Sequence, residues 1–487
     1  MSFNTSIAEN IQSKMEDLIE MVSGESEQDK TAHEIEEQLW WEMLSLGQQL
    51  MQLFFTSQEK QEVQQASYEA GGIEYPYMGQ RTRKYVSLFG DVRVCRAYYW
   101  RKGMGSQCPL DDQLSLPERS FSDLVQERIS ELTVVMTYEE AVTVFSKWLG
   151  WDLPKRSSEQ MNADHAGDVS DYYETQSVPD TPTSDTILVV SADGKGIPMT
   201  RKDSPPPEAR RGRGEKKTAK KEATVTALYT ITPYPRCSDD IIQALVPGYA
   251  SEKSSLPPRP KPTHKQVFGT LDGQKVAFEQ LSKQVERRDS EHISHYIALT
   301  DGDRGLKNRV QLDLPHFTLI VDIIHVTEYL WQAANTLLGE THPMRDVWMQ
   351  DALRCLLEDD LDQLLNHLNY QLAGLSKHKQ TALKKVIRYL SNNRDYMHYQ
   401  DYLAKGYPIG TGVIEGACRH LVKDRFERAG MRWSTLGAQV MLDLRAVYLN
   451  GDWHDFQRFR RRQAHQQRYG SLHPDVLPEE LMLGVAV

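Results

Sequence analysis

A chain of 487 residues is long enough for two to four hydrophobic cores, and 39% hydrophobic with 26% charged residues is the balance of an ordinary globular protein. No run of eighteen apolar residues occurs, and Met1–Glu20 lacks a basic and then apolar leader, so a membrane protein is excluded and a cytoplasmic one expected. Five scattered cysteines, Cys95, Cys108, Cys237, Cys355 and Cys418, form no CxxC pair, which excludes a disulfide framework.

The net charge of −11 is unevenly distributed. Residues 1–50 hold eleven acids against Lys14 and Lys30, a balance of −9, which leaves the other 437 residues at −2. Within that remainder residues 201–222 carry nine Lys/Arg against four acids, and 419–434 and 456–468 are also basic. Basic patches on a nearly neutral body can bind phosphate backbone locally, although any one of them alone is equally well a solvated face.

In chain order, residues 1–75 read as an acidic helical segment. Ile35, Leu39, Met43, Leu46, Leu50 and Leu53 recur every three or four residues, predicting a helix over 31–67 whose stripe is either core or a self-association seam. The β-branched and aromatic stretch 82–100, broken at Gly90-Asp91, predicts a β-hairpin. Three helical patterns follow, from about 120, 138 and 155. The second and third, joined across Leu149-Gly150-Trp151, have the form of a helix-turn-helix, making 76–180 a candidate DNA-binding region with Lys155 and Arg156 at the DNA.

From residue 181 the pattern becomes α/β. TSDTILVVSADGKGIPM reads as a buried strand ending at Asp193-Gly194; 224–234 and HKQVFGTLD read as second and third strands. A helix over 276–288 precedes a fourth strand that ends at Asp301-Gly302, then a short helical link, then a fifth strand over 316–326. Residues 328–405 read as an all-helical insertion. GYPIGTG, with Pro408, Gly410 and Gly412, breaks the helices before a segment, 406–450, that carries Glu415 at the start of a helix; 451–487 reads as a basic tail.

Asp193, Asp301 and Glu415 occupy places that an α/β sheet brings together, because its C-terminal strand edges lie side by side. Three neighbouring carboxylates repel one another unless cations neutralise them, and hard carboxylate oxygens suit Mg²⁺. Two such ions can activate a water or hydroxyl and stabilise the leaving oxygen of a phosphodiester. An Asp after strand one, an Asp after strand four and a Glu on a later helix is the arrangement of an RNase H-like nucleotidyltransferase. Asp303 and Asp322 compete with Asp301 for the second place; strand order favours Asp301. Asp322 and His325 are read as groups that orient the ligands or contact DNA, with a satisfied buried histidine equally open.

The stretches VVSADGKGIPM, ALTDGDRGLK, FTLIVDIIHVTEYLW and YPIGTGVIEGACRHLVKDRFERAGMRW resemble the DDE transposases of bacterial insertion sequences of the ISKra-four type, over about residues 80–465. The resemblance implies an RNase H-like catalytic domain, a mixed sheet flanked by helices, interrupted by an all-α insertion and preceded by an α+β DNA-binding region. It implies a catalytic and metal-binding triad at Asp193, Asp301 and Glu415. Relatives often carry a paired-cysteine element near the hairpin; here Trp100-Arg101-Lys102 and a lone Cys108 stand there, so no zinc is expected.

A regular helix after Glu415 would place Arg419 and Lys423 on its side and turn Ile414, Ala417, Leu421 and Phe426 to the sheet. Arg419, Lys423, Arg425, Arg428 and Arg432 are the candidate phosphate contacts, with Trp433 stacking on a base, although pairing with Asp424 and Glu427 would occupy some of them. The expected protein is a cytoplasmic, nucleoid-associated transposase with two Mg²⁺ ions, Mn²⁺ substituting. It would cut and join DNA at its element's terminal inverted repeats and a target, as a homo-oligomer on DNA and away from membranes. The alternatives are a non-catalytic DNA-binding descendant and a nuclease that cuts without joining.

Overall fold

The structure, a computed structural model, describes residues 3–24, 30–177, 186–204, 220–249, 257–289, 292–471, 473 and 475. Most of the basic loop at 201–222, the first residues of the strand expected from 183 and the last residues of the basic tail lie outside that set. The chain divides into two compact units, one of residues 1–174 with 452–487 and one of 175–451.

In the first unit α1 (Phe3–Ser23) and α2 (Ala32–Gln61) form a helical hairpin, tied by Lys14 Nζ to Ser45 Oγ at 2.8 Å and to Glu42 at 2.7 Å. Thr31 opens α2 with a capping box closed by Glu34. The helix stops at Gln61, and a four-stranded antiparallel sheet follows in the order β1 (Ser67–Ala70), β2 (Ile73–Ser87), β3 (Gly90–Arg101), β4 (Gly105–Gln107). Residues 67–75, expected in the helical segment, are therefore strand, and the hairpin turns at Leu88-Phe89, since Ser87 pairs with Gly90.

After α3 (Pro109–Gln113) come α4 (Asp123–Val135), α5 (Tyr138–Leu149), α6 (Lys155–Gly167) and α7 (Val169–Thr175). Val125, Ile129, Ala141, Phe145, Leu153 and Met161 pack α4, α5 and α6 on one another, and Gly150 ends α5 at φ +73°. Lys155 and Arg156 are exposed at the start of α6, Lys155 3.5 Å from Glu139. Residues 453–469, expected in a tail, form a helix of this unit. Its arginines are partly consumed: Arg460 pairs with Asp123 at 3.1 Å, Arg461 with Glu127 at 3.0 Å and Arg462 with Asp475 at 3.1 Å.

The second unit is built on a five-stranded mixed sheet. Its strands are β5 (Thr186–Pro198), β6 (Lys220–Ile231), β7 (Thr263–Thr270), β8 (Ile293–Thr300) and β9 (Thr318–Val321), in the order β7-β6-β5-β8-β9. β7, β6 and β5 run antiparallel, while β5, β8 and β9 are parallel. The helices in chain order are α8 (Ser238–Leu245), α9 (Gln274–Arg288), α10 (Arg304–Asp313), α11 (Ile323–Leu337), α12 (Arg345–Leu357), α13 (Leu361–Gln371), α14 (Lys377–Asn393), α15 (Tyr399–Ala404), α16 (Gly412–Ala417), α17 (Asp424–Phe426) and α18 (Thr435–Asn450). The period of two in β5 divides its side chains. Ile187 and Val189 join the core of α11–α15, whereas Leu188, Val190 and Ala192 join Phe278, Leu281, Leu306 and Val310 of α9 and α10.

Two boundaries differ from the expected ones in ways that matter for the site. β5 continues through Asp193 to Pro198 along β6, so Asp193 does not end the strand; it lies two residues past the last β5–β8 pair, Ser191 with Leu299. β9 stops at Val321, and Asp322 caps α11 instead of sitting in a strand. The helix α8 was not legible, its eight residues being too few for a clear period.

The chain returns from the helices to the sheet through residues 405–411. Gly406, at φ +74°, lies where a Cβ would come within 2.4 Å of the Tyr234 nitrogen, whose N–H donates to the Gly406 carbonyl at 2.9 Å. Gly406→Ala is expected to cost about 2–4 kcal/mol in chemical denaturation, combining left-handed strain with a backbone clash.

Burial and the nearby Asp272 push the half-buried Asp443 carboxyl up to about 7, against a 2.8 Å hydrogen bond from Gln439. A carboxyl raised in the folded state contributes stability that is present below its unfolded value and lost as pH rises through about 7. Asp443→Asn, which keeps an acceptor for Gln439, should therefore raise the melting temperature at pH 8 and flatten the decline in stability between pH 4 and 8.

Candidate active site

The parallel half of the sheet sets the site. β8 ends at Thr300, so Asp301 is the first residue beyond it; β9 ends beside it at Val321, and the Asp322 N–H donates to the Thr300 carbonyl at 2.8 Å. The return segment comes alongside: Ile323 N–H donates to the Ile409 carbonyl at 2.9 Å, and two residues later Thr411 leads into α16. Three segments spread between Asp301 and Thr411 thus meet at the C-terminal ends of β8 and β9.

Asp322 is fully buried and both its carboxylate oxygens are engaged. Oδ1 accepts from Ile324 N–H at 2.9 Å; Oδ2 accepts from the Thr411 hydroxyl and bonds His325 Nδ1 at 3.0 Å. That hydrogen bond, with the surrounding carboxylates of Asp322, Asp301 and Glu328, drives the His325 imidazole up to about 9 despite its partial burial. The ring is therefore cationic at neutral pH and donates to Asp322.

Asp193 Oδ1 accepts from its neighbour Gly194 N–H at 2.7 Å, and Oδ2 from the buried Cys418 thiol at 3.3 Å. Burial, then the Asp193 and Glu415 carboxylates, push the Cys418 thiol well above its ordinary range. Asp301 Oδ1 accepts from Asp303 N–H at 2.8 Å. Burial raises the Asp301 carboxyl, Asp193 and Asp303 adding to the shift, and the Asp303 N–H and His325 opposing it. Asp301 and Asp193 are thus close enough to feel each other.

Glu415 is exposed, and ligand atoms of Asp322, His325 and Glu415 all lie within 4.8 Å of one another. Among the described residues this tight group is not the expected triad: it contains Glu415 but substitutes Asp322 and His325 for Asp193 and Asp301. The donor chemistry separates the two sets. Asp322 is fully buried and its oxygens accept from three donors, which makes it a supporting group for the segment that carries Glu415. Glu415 is exposed and Asp301 accepts from the Asp303 N–H at one oxygen, so these two keep open oxygens that suit a hard divalent ion, whereas both Asp193 oxygens already accept, from Gly194 and Cys418. Asp303 caps α10, accepting from Leu306 N–H at 3.0 Å.

The segment after Glu415 is not a regular α-helix. Cys418–Lys423 form a π-helical turn between α16 and α17, which shifts the register beyond it. Arg419, Lys423, Arg428 and Arg432 are exposed. Arg425 and Trp433 are not. Arg425 is fully buried with its guanidinium 4.9 Å from the Trp433 ring, and Trp433 donates from Nε1 to the Phe426 carbonyl at 3.3 Å while its backbone bridges to Met199. Expected at DNA, this pair is a packed cation–π contact that closes the segment onto β5. Arg419 lies 3.8 Å from Asp424, and Arg428 Nε donates to the Asp424 carbonyl at 2.8 Å, so local pairing does hold some of the bases.

Thr411, Cys418 and Tyr389 were not singled out by sequence. Tyr389, stacked on Tyr329 at 3.7 Å, donates to the Asp301 carbonyl at 2.8 Å. Only the glycines around Thr411 hinted at a close approach there. No protein-family model and no curated protein matches this chain.

Asp322→Ala removes a helix cap and strands the Thr411 hydroxyl and His325, for an expected loss of about 2–4 kcal/mol in denaturant titration. Glu415→Ala, at an exposed carboxylate, should stay within about 0.5 kcal/mol of the parent. Equal effects of the two would contradict the division between a supporting and a ligating acid.

Proposed function

We propose that the chain is a DDE transposase with an RNase H-like catalytic domain, cutting and joining DNA at the ends of a mobile element. What supports this reading is that the carboxyl of Asp301, directly after the fourth strand of the mixed sheet, is raised in part by Asp193 of the first, while Glu415, on a helix reached after an all-helical detour, acts with Asp193 on the Cys418 thiol and groups with Asp322 and His325. The resemblance of the four motifs to the ISKra-four type supports the same assignment.

In this reading Asp193, Asp301 and Glu415 hold two Mg²⁺ ions, or Mn²⁺ in their place. When bound, such ions neutralise the phosphodiester and lower the pKa of an attacking water or 3′-hydroxyl. Asp301, raised by burial, is the carboxyl that gains most from a nearby cation. Asp322 and His325 position Glu415 through Thr411 and present a positive ring toward Asp301. Exposed Arg419, Lys423, Arg428 and Arg432 track the phosphates, and the α4–α6 unit with Lys155 and Arg156 binds the element ends.

Cleavage and strand transfer on a plasmid carrying the DNA that flanks the gene, with Mg²⁺, test the proposal. Asp193→Ala, Asp301→Ala and Glu415→Ala should each lose at least about 1,000-fold in both steps. Activity surviving in Asp301→Ala moves the second acid to Asp322; cutting without joining makes the protein a nuclease. Binding isotherms against salt should lose roughly one unit of slope in a variant lacking Arg419 and Lys423, whereas Arg425→Ala should unfold the segment instead.

A further inference from the structure

The hairpin of α1 and α2 leaves an apolar face uncovered. On α2, Trp40, Met43, Leu50 and Phe54 are 44–51% exposed, and at 100° per residue they fall, with Gly47, in an arc of about 80°. Their spacing of three and seven residues keeps one stripe along the helix, the repeat of a packed helical seam. On α1, Met15, Ile19 and Val22 are 49–57% exposed beside the buried Leu18. Because the two helices run antiparallel with Leu18 and Leu46 between them, both exposed stripes turn to the same side of the hairpin.

The charges turn elsewhere. Glu9, Glu16, Asp17 and Glu20 on α1, and Glu42 on α2, project from the other flanks, leaving Glu36 at the tip of α2 as the acid in line with the apolar arc. Two copies of this face can therefore meet without opposing rows of carboxylates, even though residues 1–50 carry −9. The area fits such a partner. Seven large side chains exposed by about half, with Phe89 lying over Gly47, present roughly 800 Å² of apolar surface, the amount each partner buries in a stable standard interface. It exceeds the roughly 300–600 Å² that a monomer leaves open as its largest patch.

We propose that this face is the dimer interface of the protein, two α1–α2 hairpins from two copies closing into a four-helix bundle in the absence of DNA. The contact is isologous, each copy using the same patch. It does not depend on the catalytic assignment, and Asp193→Ala protein should assemble like the parent.

Sedimentation equilibrium of the full chain without DNA, from 0.1 to about 50 µM, measures the association. A dimer is expected, and Met43→Glu with Leu50→Glu should raise its dissociation constant at least about 30-fold while leaving the thermal melt of the second unit in place. A parent that is monomeric throughout, or a dimer the double variant leaves intact, overturns the proposal; the latter puts the contact on another surface. Should the double variant misfold, hydrogen exchange of the parent decides. Amides of residues 10–22 and 38–56 must gain protection between 0.1 and 50 µM, and unchanged protection overturns the interface.

Discussion

The second unit hangs on one buried carboxylate. Asp322 ends β9, opens α11 and receives the Thr411 hydroxyl from the return segment, while its own N–H closes onto β8. A fully buried charge is costly to keep unless every lone pair finds a donor, and here His325 supplies a counter-charge as well. The consequence is positional: the segment that carries Glu415 cannot drift from the edge where Asp301 stands without stranding that charge. The polar network works together with apolar packing here, since Val321, Ile323, Val326 and Ile409 beside it are buried in the core of the unit.

Much of this architecture could be read from the chain, and the failures have physical causes. β5, β6, β7 and β8 announce themselves because they are continuous or alternating apolar runs of strand length, and the helices α11 to α14 because their period holds over about three turns or more. LIVDIIHV could not be divided correctly, since an apolar run looks the same in a buried strand and at the start of a buried helix, and the Asp within it was taken for strand when it was a cap. The register after Glu415 failed for a different reason. A π-helical turn interrupts the repeat, and a count of charges beyond it does not tell an enclosed arginine from an exposed one: Arg425, a candidate phosphate ligand by sequence, is the buried partner of Trp433.

The basic residues divide along the same line. Charge counted along the sequence treats every arginine as available, yet Arg425 is enclosed, and Arg460, Arg461 and Arg462 are matched with Asp123, Glu127 and Asp475 inside the first unit. The cations that remain outward around Glu415 are fewer than the motif implies, and they flank the exposed carboxylate itself. A phosphate drawn to Arg419 or Lys423 is thereby drawn to the acids, where repulsion would be severe without intervening cations. Under the proposed function, that coupling would make DNA and divalent ions bind together more strongly than either alone.

The helices between Asp301 and Glu415 could be regarded as a spacer, but their side chains argue otherwise. Tyr389 on α14 donates to the Asp301 carbonyl, held by its stack on Tyr329 of α11, and Tyr399 on α15, fully buried, donates to the Val321 carbonyl at the end of β9 at 2.7 Å. Both hydroxyls satisfy main-chain oxygens at strand ends that the sheet itself leaves unpaired. Deleting the insertion would therefore uncap β8 and β9 at the residues bearing Asp301 and Asp322. The helices thus brace the strand ends that bear Asp301 and Asp322 from behind, and their packing and the geometry of those two acids are one structural problem.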